Sequence, residues 1–217
     1  MANVAVNTLV QDIIADIPEI PVFIAARQYI RALRELCEKA RVWRINDTFT
    51  VSSSLVLTDI SALFPDDTEL VDIVSMKPAG GETEVKPTTY ARLDKNEANW
   101  RSESSLVAKQ YILESNNVLR LVPSPSNNVV DAYYIRMAIK PTQATQNIES
   151  LLVNKYSELL ISGAKAYLFM VPRKPWTDLQ LAQFHMAQFL GGIPAARAEA
   201  TDEFQTGVAR TVKYGGL

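Results

Sequence analysis

Only one histidine and one cysteine occur among the 217 residues, and that scarcity limits the chemistry open to this chain. A nucleophilic triad needs a base beside the nucleophile, most often histidine. The single candidate, His185, sits in a helical pattern between Phe184 and Met186, with Gln183 and Gln188 close by. No Gly-x-Ser-x-Gly elbow occurs to present a serine to it. His185 is therefore read as a partly buried or interface side chain. Cys37 lies beside Leu33 and Leu36 in a helical pattern, where a thiol packs as a small hydrophobe. A lone cysteine allows no disulfide within the chain, and a reducing compartment is expected.

Other chemistry-bearing groups are as sparse. Asp66, Asp67 and Glu69 form an acidic knot in a loop, but without the ligand spacing of a calcium loop. One His and one Cys cannot build a structural zinc site. Neither phosphate-cradling glycine motif is present, so Gly80-Gly81 and Gly191-Gly192 read as turns or breaks. The pairs Asp12 with Asp16 and Glu199 with Glu203 fall on single helix faces, whereas glycoside hydrolysis needs two acids across a cleft. Arg27, Arg31 and Arg34 line one helix face, and Arg173-Lys174 lies in a connector. Glu35, Glu38 and Lys39 interrupt the first patch, and no nucleic-acid-binding signature accompanies it. No catalytic, cofactor or metal residue is assigned.

The bulk numbers agree with a folded chain of modest charge. Hydrophobic residues make up 47% and charged residues 21%, with a formal net charge of −2. That is globular composition, long enough to bury a core without staples, and not the basic balance of a DNA-coating protein. No segment approaches the ~18 apolar residues of a membrane span. The first residues carry no basic signal-peptide region, so a cytosolic product is expected.

The elements that must position these groups follow from periodicity. Asn7 or Thr8 caps a short helix carrying Leu9, Val10, Ile13, Ile14 and Ile17. Pro21 suits the first turn of a longer helix with the stripe Val22, Phe23, Ala26, Tyr29, Ile30, Leu33, Leu36, Cys37 and Ala40. The period then alternates. Phe49 to Leu57 reads as a strand, as does Leu70 to Met76 with Val71 and Ile73 on one face. A turn at Ala79 to Glu82 and a helix capped by Thr88 or Thr89 follow. Leu106 to Glu114 and Val118 to Val122 form a hairpin, Pro123 to Asn128 an irregular loop, and Val129 to Ile139 a long strand closed by Pro141.

From Ile148 the helical period returns, with Gly163 placed for close approach of a neighbouring helix. Pro172 and Pro175 bracket a connector, and Thr177 or Asp178 caps the next helix. Gly191 to Pro194 is expected to kink or interrupt that helix, and Ala195 to Ala200 to resume it. Thr206 to Leu217 has no core pattern and reads as an extended tail. The fold class is α+β. A helical bundle is expected from residues 1–44 and 146–205, with an inserted antiparallel β-sandwich or barrel-like domain over 45–145 and a C-terminal tail over 206–217.

Four stretches carry a resemblance: Ala32-Leu33-Arg34-Glu35-Leu36-Cys37 followed by Trp43; Leu70 to Met76 after Pro65; Leu119 to Pro125 and the strand to Pro141; and Gly163 to Ala166 through Pro172, Pro175-Trp176 and Leu181-Ala182. In this order the chain resembles the head-to-tail adaptor proteins of short-tailed bacteriophages, also called connector or tail tubular protein A, over about residues 20–200. The resemblance implies a non-enzymatic virion protein of the neck, assembled in the host cytoplasm as a dodecameric ring. The ring would lie between the portal protein and the tail nozzle or tube, with genomic double-stranded DNA passing through its lumen and no membrane partner.

Site expectations follow from the same resemblance. The tail residues Gly207, Val208, Arg210, Val212, Tyr214 and Leu217 would bind the portal. Arg27, Arg31, Arg34, Arg173 and Lys174 would face the channel or a neighbouring subunit. Lys77, Gly80, Gly81, Lys86, Ser124 and Asn127 would lie in loops meeting the nozzle. A tail-tube or tail-terminator subunit is the alternative within the same class, and a small hydrolase or binding domain the alternative outside it.

Overall fold

The computed structural model describes residues 3–53, 57–97, 99–115 and 117–202. In chain order the elements are β1 (Asn3–Ala5), α1 (Val6–Leu9), α2 (Gln11–Asp16), α3 (Val22–Ala40), β2 (Arg44–Val51), β3 (Thr58–Asp59) and β4 (Thr68–Pro78). Then follow β5 (Lys86–Pro87), α4 (Tyr90–Asn96), β6 (Ser104–Ser105), β7 (Gln110–Ser115), β8 (Val118–Val122), β9 (Ser124–Pro125), β10 (Val129–Pro141) and β11 (Asn147–Glu149). The last elements are α5 (Ser150–Lys155), α6 (Ser157–Phe169) and α7 (Leu179–Thr201). The fold is α+β. The chain divides into two compact units. One holds the described residues up to Val6 with Trp43–Ser150, the other Asn7–Val42 with the described residues from Leu151 onward.

The first unit is built around β10, the centre of the antiparallel sheet β2-β10-β4. Tyr133, Ile135, Met137 and Ile139 are buried along one face, as the alternation of the segment predicts. From Leu70 to Met76 the buried residues of β4 are Leu70, Ile73 and Met76, a spacing of three instead of two; the period of two returns only at Pro78. The register explains it. Met76 faces Ile135, Ile73 faces Met137 and Leu70 faces Ile139, with a shift at each step. The bulges leave Val74 and Val71 unmatched, so Val71 does not share the face of Ile73; an extra residue on one strand reverses every side chain beyond it.

A second sheet runs β3-β8-β7-β5, in which β5 pairs with β7 in parallel. The β7–β8 hairpin joins where the sequence places it, but it begins at Gln110, leaving Leu106 and Val107 exposed. β9 lies within the segment read as an irregular loop and pairs in parallel with β6. Thr89 caps α4 by accepting the Arg92 amide, and α4 supplies Leu93 to a small core with Trp100, Ile112 and Val122. β2 ends at Val51 and Leu57 is exposed, so the strand expected to reach Leu57 is shorter. Ile148 belongs to β11, which pairs with β1, so the helical period begins only at Ser150.

The second unit packs α3, α6 and α7 together, with α2 against α3 and α6. Pro21 precedes α3 as its N-cap, and Arg41 closes the helix in the left-handed region at φ 55°. Along α3 the buried residues are Ala25, Tyr29, Ile30, Ala32, Leu33, Leu36, Cys37 and Ala40, while Phe23 is 73% exposed. Burial in apolar surroundings pushes the Tyr29 phenol well above its usual range. A Cβ at Gly163 would lie 2.8 Å from Phe189 Cδ2 and 2.9 Å from Ala32 Cβ, so glycine sets the approach of all three helices. Asn7 and Thr8 lie inside α1, and Val10 precedes α2 without a side-chain cap. Asp178 does cap α7, accepting the amides of Gln180 and Leu181 at 2.9 and 3.0 Å. The interruption expected at Gly191–Pro194 does not occur; α7 runs through Pro194 to Thr201. Ile193, Ala196 and Ala200 are buried beyond the glycine pair, and that packing offsets the one amide hydrogen bond a proline forfeits.

Candidate interaction surfaces

The groups that could do chemistry are absorbed into packing. Cys37 is fully buried in α3. The Asp67 carbonyl, at φ 57°, accepts from Thr142 N and Thr145 Oγ1 at 2.8 Å each, so this acidic loop is tied to the end of β10. Asp16 pairs with Lys165. Glu199 pairs with Lys155 at 2.6 Å and accepts from the Tyr156 hydroxyl at 3.1 Å. Among the described residues no group of three or more His, Cys, Asp and Glu is placed to hold a metal ion. No described helix is long and apolar enough to cross a membrane.

The three arginines of α3 do not act as one stripe. The Arg31 guanidinium lies 3.9 Å from the centroid of the Tyr167 ring on α6. The Tyr167 hydroxyl donates to Glu35, whose other oxygen pairs with Lys39 at 2.5 Å. Arg31 thus braces α3 on α6 through a cation–π contact. Arg34 is half-buried and engaged, and Arg27 is exposed. In the connector, Arg173 adopts a left-handed conformation at φ 59°, and the Lys174 ammonium sits 6.0 Å from the Trp176 ring. Thr177 locks that connector, taking the Lys174 amide at 3.0 Å and donating to the Val171 carbonyl at 2.5 Å.

α7 carries a surface that the periodicity did not reveal. From Leu179 to Ala196 it has no Asp, Glu, Lys or Arg. One face buries Ala182, Phe189, Ile193 and Ala196. The rest of the helix leaves Leu179 66%, Phe184 57%, Leu181 43% and Leu190 42% exposed. The charge-free run, polar only at Gln180, Gln183, His185 and Gln188, was the sequence signal for it. His185 lies at the margin of this surface, stacked on Phe169 at 5.8 Å and meeting Phe184 edge-on at 5.3 Å. Its Nδ1 is buried without a hydrogen-bond partner. Desolvation first, then Lys165, hold its pKa below the usual imidazole value, against smaller upward effects of Gln188 and Asp16.

Beside this surface, a groove of about 980 Å³ runs between α5, the start of α6 and the later part of α7. Tyr156 and Leu159 form one wall, and Gly192, Ala195 and Ala196 the other. Lys155, Glu158 and Glu199 supply its charges. Burial and the neighbouring Glu199 raise the Tyr156 pKa well above its usual value, so the phenol is a fixed donor.

In the β-rich unit the expected nozzle residues are scattered. Gly80, at φ 75°, and Gly81 form the turn after β4, and Asn127 lies in an exposed loop. Lys77, Lys86 and Ser124 belong to β4, β5 and β9 instead of loops. The most exposed apolar side chains here include Leu106, Val107, Val130 and Tyr134. Tyr90, Trp100 and Arg120 cluster over the β7–β8 hairpin. Glu114 accepts from Tyr90, pairs with Arg120 at 2.6 Å, and is held below its usual pKa first by Tyr90 and then by Arg120. Gly207, Val208, Arg210, Val212, Tyr214 and Leu217 lie outside the described residues.

The family model described as SU10 adaptor protein matches residues 2–211 of the chain. No curated protein matches it.

Proposed function

Because the chain belongs to the SU10 adaptor protein family, we propose that copies of it form a ring in the phage neck, between portal protein and tail nozzle or tube, through whose lumen the genomic DNA passes. The family is one of structural phage adaptors of the head-to-tail type, which is not an enzyme class. The short-tailed connector subgroup and a dodecameric copy number belong to this proposal.

One observation carries the ring: the charge-free α7 with Leu179, Leu181, Phe184 and Leu190 exposed. Depletion of charge around aromatic and aliphatic side chains marks the core of a protein interface. In the ring, this surface meets the next subunit. Arg27, Arg31, Arg34 and the Arg173-Lys174 connector lie toward a neighbour or the channel, with Arg31 also braced on Tyr167. The acidic balance of the chain, with its net charge of −2, suits a lumen that lets DNA pass, since a strongly basic wall would hold phosphates by counterion release. The segment 206–217 reaches the portal, and the Gly80-Gly81 turn and the Asn127 loop face the nozzle.

Electron microscopy of the protein with and without portal rings tests this reading. Twelvefold rings are expected, lost in Phe184→Glu and Leu190→Glu while circular dichroism stays unchanged. Deleting residues 206–217 is expected to abolish portal binding. Sixfold rings would replace the reading with a tail-terminator role, and portal binding by the truncated chain would remove the tail assignment.

A further inference from the structure

We propose that the groove between α5, α6 and α7 is the seat of this chain's own C-terminal segment, residues 203–217, before any partner is met. The groove has about 980 Å³, at the upper end of ordinary ligand pockets of roughly 300–1,000 Å³. Leu159 packs directly over Gly192, and Ala195 presents only a methyl group beside it, with Tyr156 further along the lining. A Cβ at Gly192 would fall 2.4 Å from Leu159 Cδ1, so that wall cannot be thickened without moving its neighbour.

The segment is the occupant that position and chemistry favour. Its first residue follows Asp202 directly, and Glu199, three residues earlier, already lines the groove. From Glu199 back to Gln188 the lining helix spans about 16 Å. The fifteen residues beyond Asp202 reach ~50 Å when extended, enough to turn and run back along it. The groove carries Glu158 and Glu199 against one cation, Lys155, which Glu199 already binds at 2.6 Å. The segment carries Arg210 and Lys213 against one acid, Glu203. Val208, Val212, Tyr214 and Leu217 supply apolar groups for the alanine-lined wall.

Docking in this groove keeps the segment's apolar side chains off other surfaces until a better site is offered. The release step rests on the portal-binding reading above, whereas the docking does not, and the test uses no portal.

The experiment is disulfide trapping in the full chain with cysteines at Ser162, which lines the groove, and Val212. Cys37 is fully buried and does not compete. A pair at Arg27 and Val212 reports random collision of a tethered segment with an exposed site. The groove pair is expected to cross-link within one chain, in far higher yield than the control and independently of protein concentration. Ala195→Trp, a filling of the groove from an exposed position, is expected to reduce that yield to the control level. Equal yields from the two pairs, insensitivity to Ala195→Trp, or cross-linked dimers as the main product would overturn the proposal.

Discussion

Gly163 of α6 and Phe189 of α7 meet so closely that a Cβ on the glycine would stand 2.8 Å from the ring, with Ala32 of α3 at 2.9 Å on another side. Alanine in place of glycine favours a helix by about 1 kcal/mol. Overpacking a filled site costs ~1–3 kcal/mol. The second effect dominates at a three-helix contact. Gly163→Ala is expected to lower stability by roughly 1 kcal/mol and Gly163→Val by more, read from urea unfolding midpoints. A stabilised Gly163→Ala would show that the helices are not in contact there.

Tyr133 accepts the Ala108 amide at 2.7 Å through its hydroxyl and stacks on Phe49 with centroids 5.4 Å apart. Tyr133→Phe keeps the stack and strands a buried amide, at a cost of about 1–3 kcal/mol. Chemical denaturation measures the loss, and hydrogen exchange should show the Ala108 amide losing its protection.

Asp178 accepts two amides at the start of α7. Asp178→Ala is expected to cost about 1 kcal/mol and Asp178→Asn much less, because asparagine caps nearly as well. Thermal unfolding of both variants separates the cap from a general effect of charge removal.

His185 has its pKa lowered by desolvation and by Lys165. With the folded value below the unfolded one, the unfolded chain takes up the proton first as pH falls. Stability is then full above the unfolded pKa of about 6.5 and declines as pH drops toward the folded value. His185→Gln is expected to flatten urea midpoints between about pH 7 and pH 5. Asp94 and Glu114, whose pKa values are also lowered, lose stability in the same direction as pH falls, but only in the carboxylate range below that of the imidazole. An unchanged slope in His185→Gln would place the imidazole in solvent.

Much of the framework was legible because its causes are local. The α3 stripe, the alternation of β10, the β7–β8 hairpin and the caps, narrowed to Thr88 or Thr89 and to Thr177 or Asp178, depend on residues a few positions apart. The close approach at Gly163 was legible too, since a glycine among larger apolar residues has few other uses in a helix. Errors came where a distant partner decides. Val71 lost its expected face because bulges against β10 reset the register of β4. Gly191–Pro194 does not interrupt α7, because packing at Ile193, Ala196 and Ala200 outweighs one missing hydrogen bond.

The sequence by itself determined that one histidine and one cysteine cannot build a structural zinc site, and that helical segments flank an alternating middle. Residue counts and short-range periods carry that much, because they follow from backbone geometry and composition alone. Only the tertiary structure decided that Arg31 is spent on Tyr167, that α7 keeps Phe184 and Leu190 uncovered, and that a groove opens between α5, α6 and α7. A side chain's role depends on which remote element it meets, and a single helix pattern does not state how many of its faces will be covered.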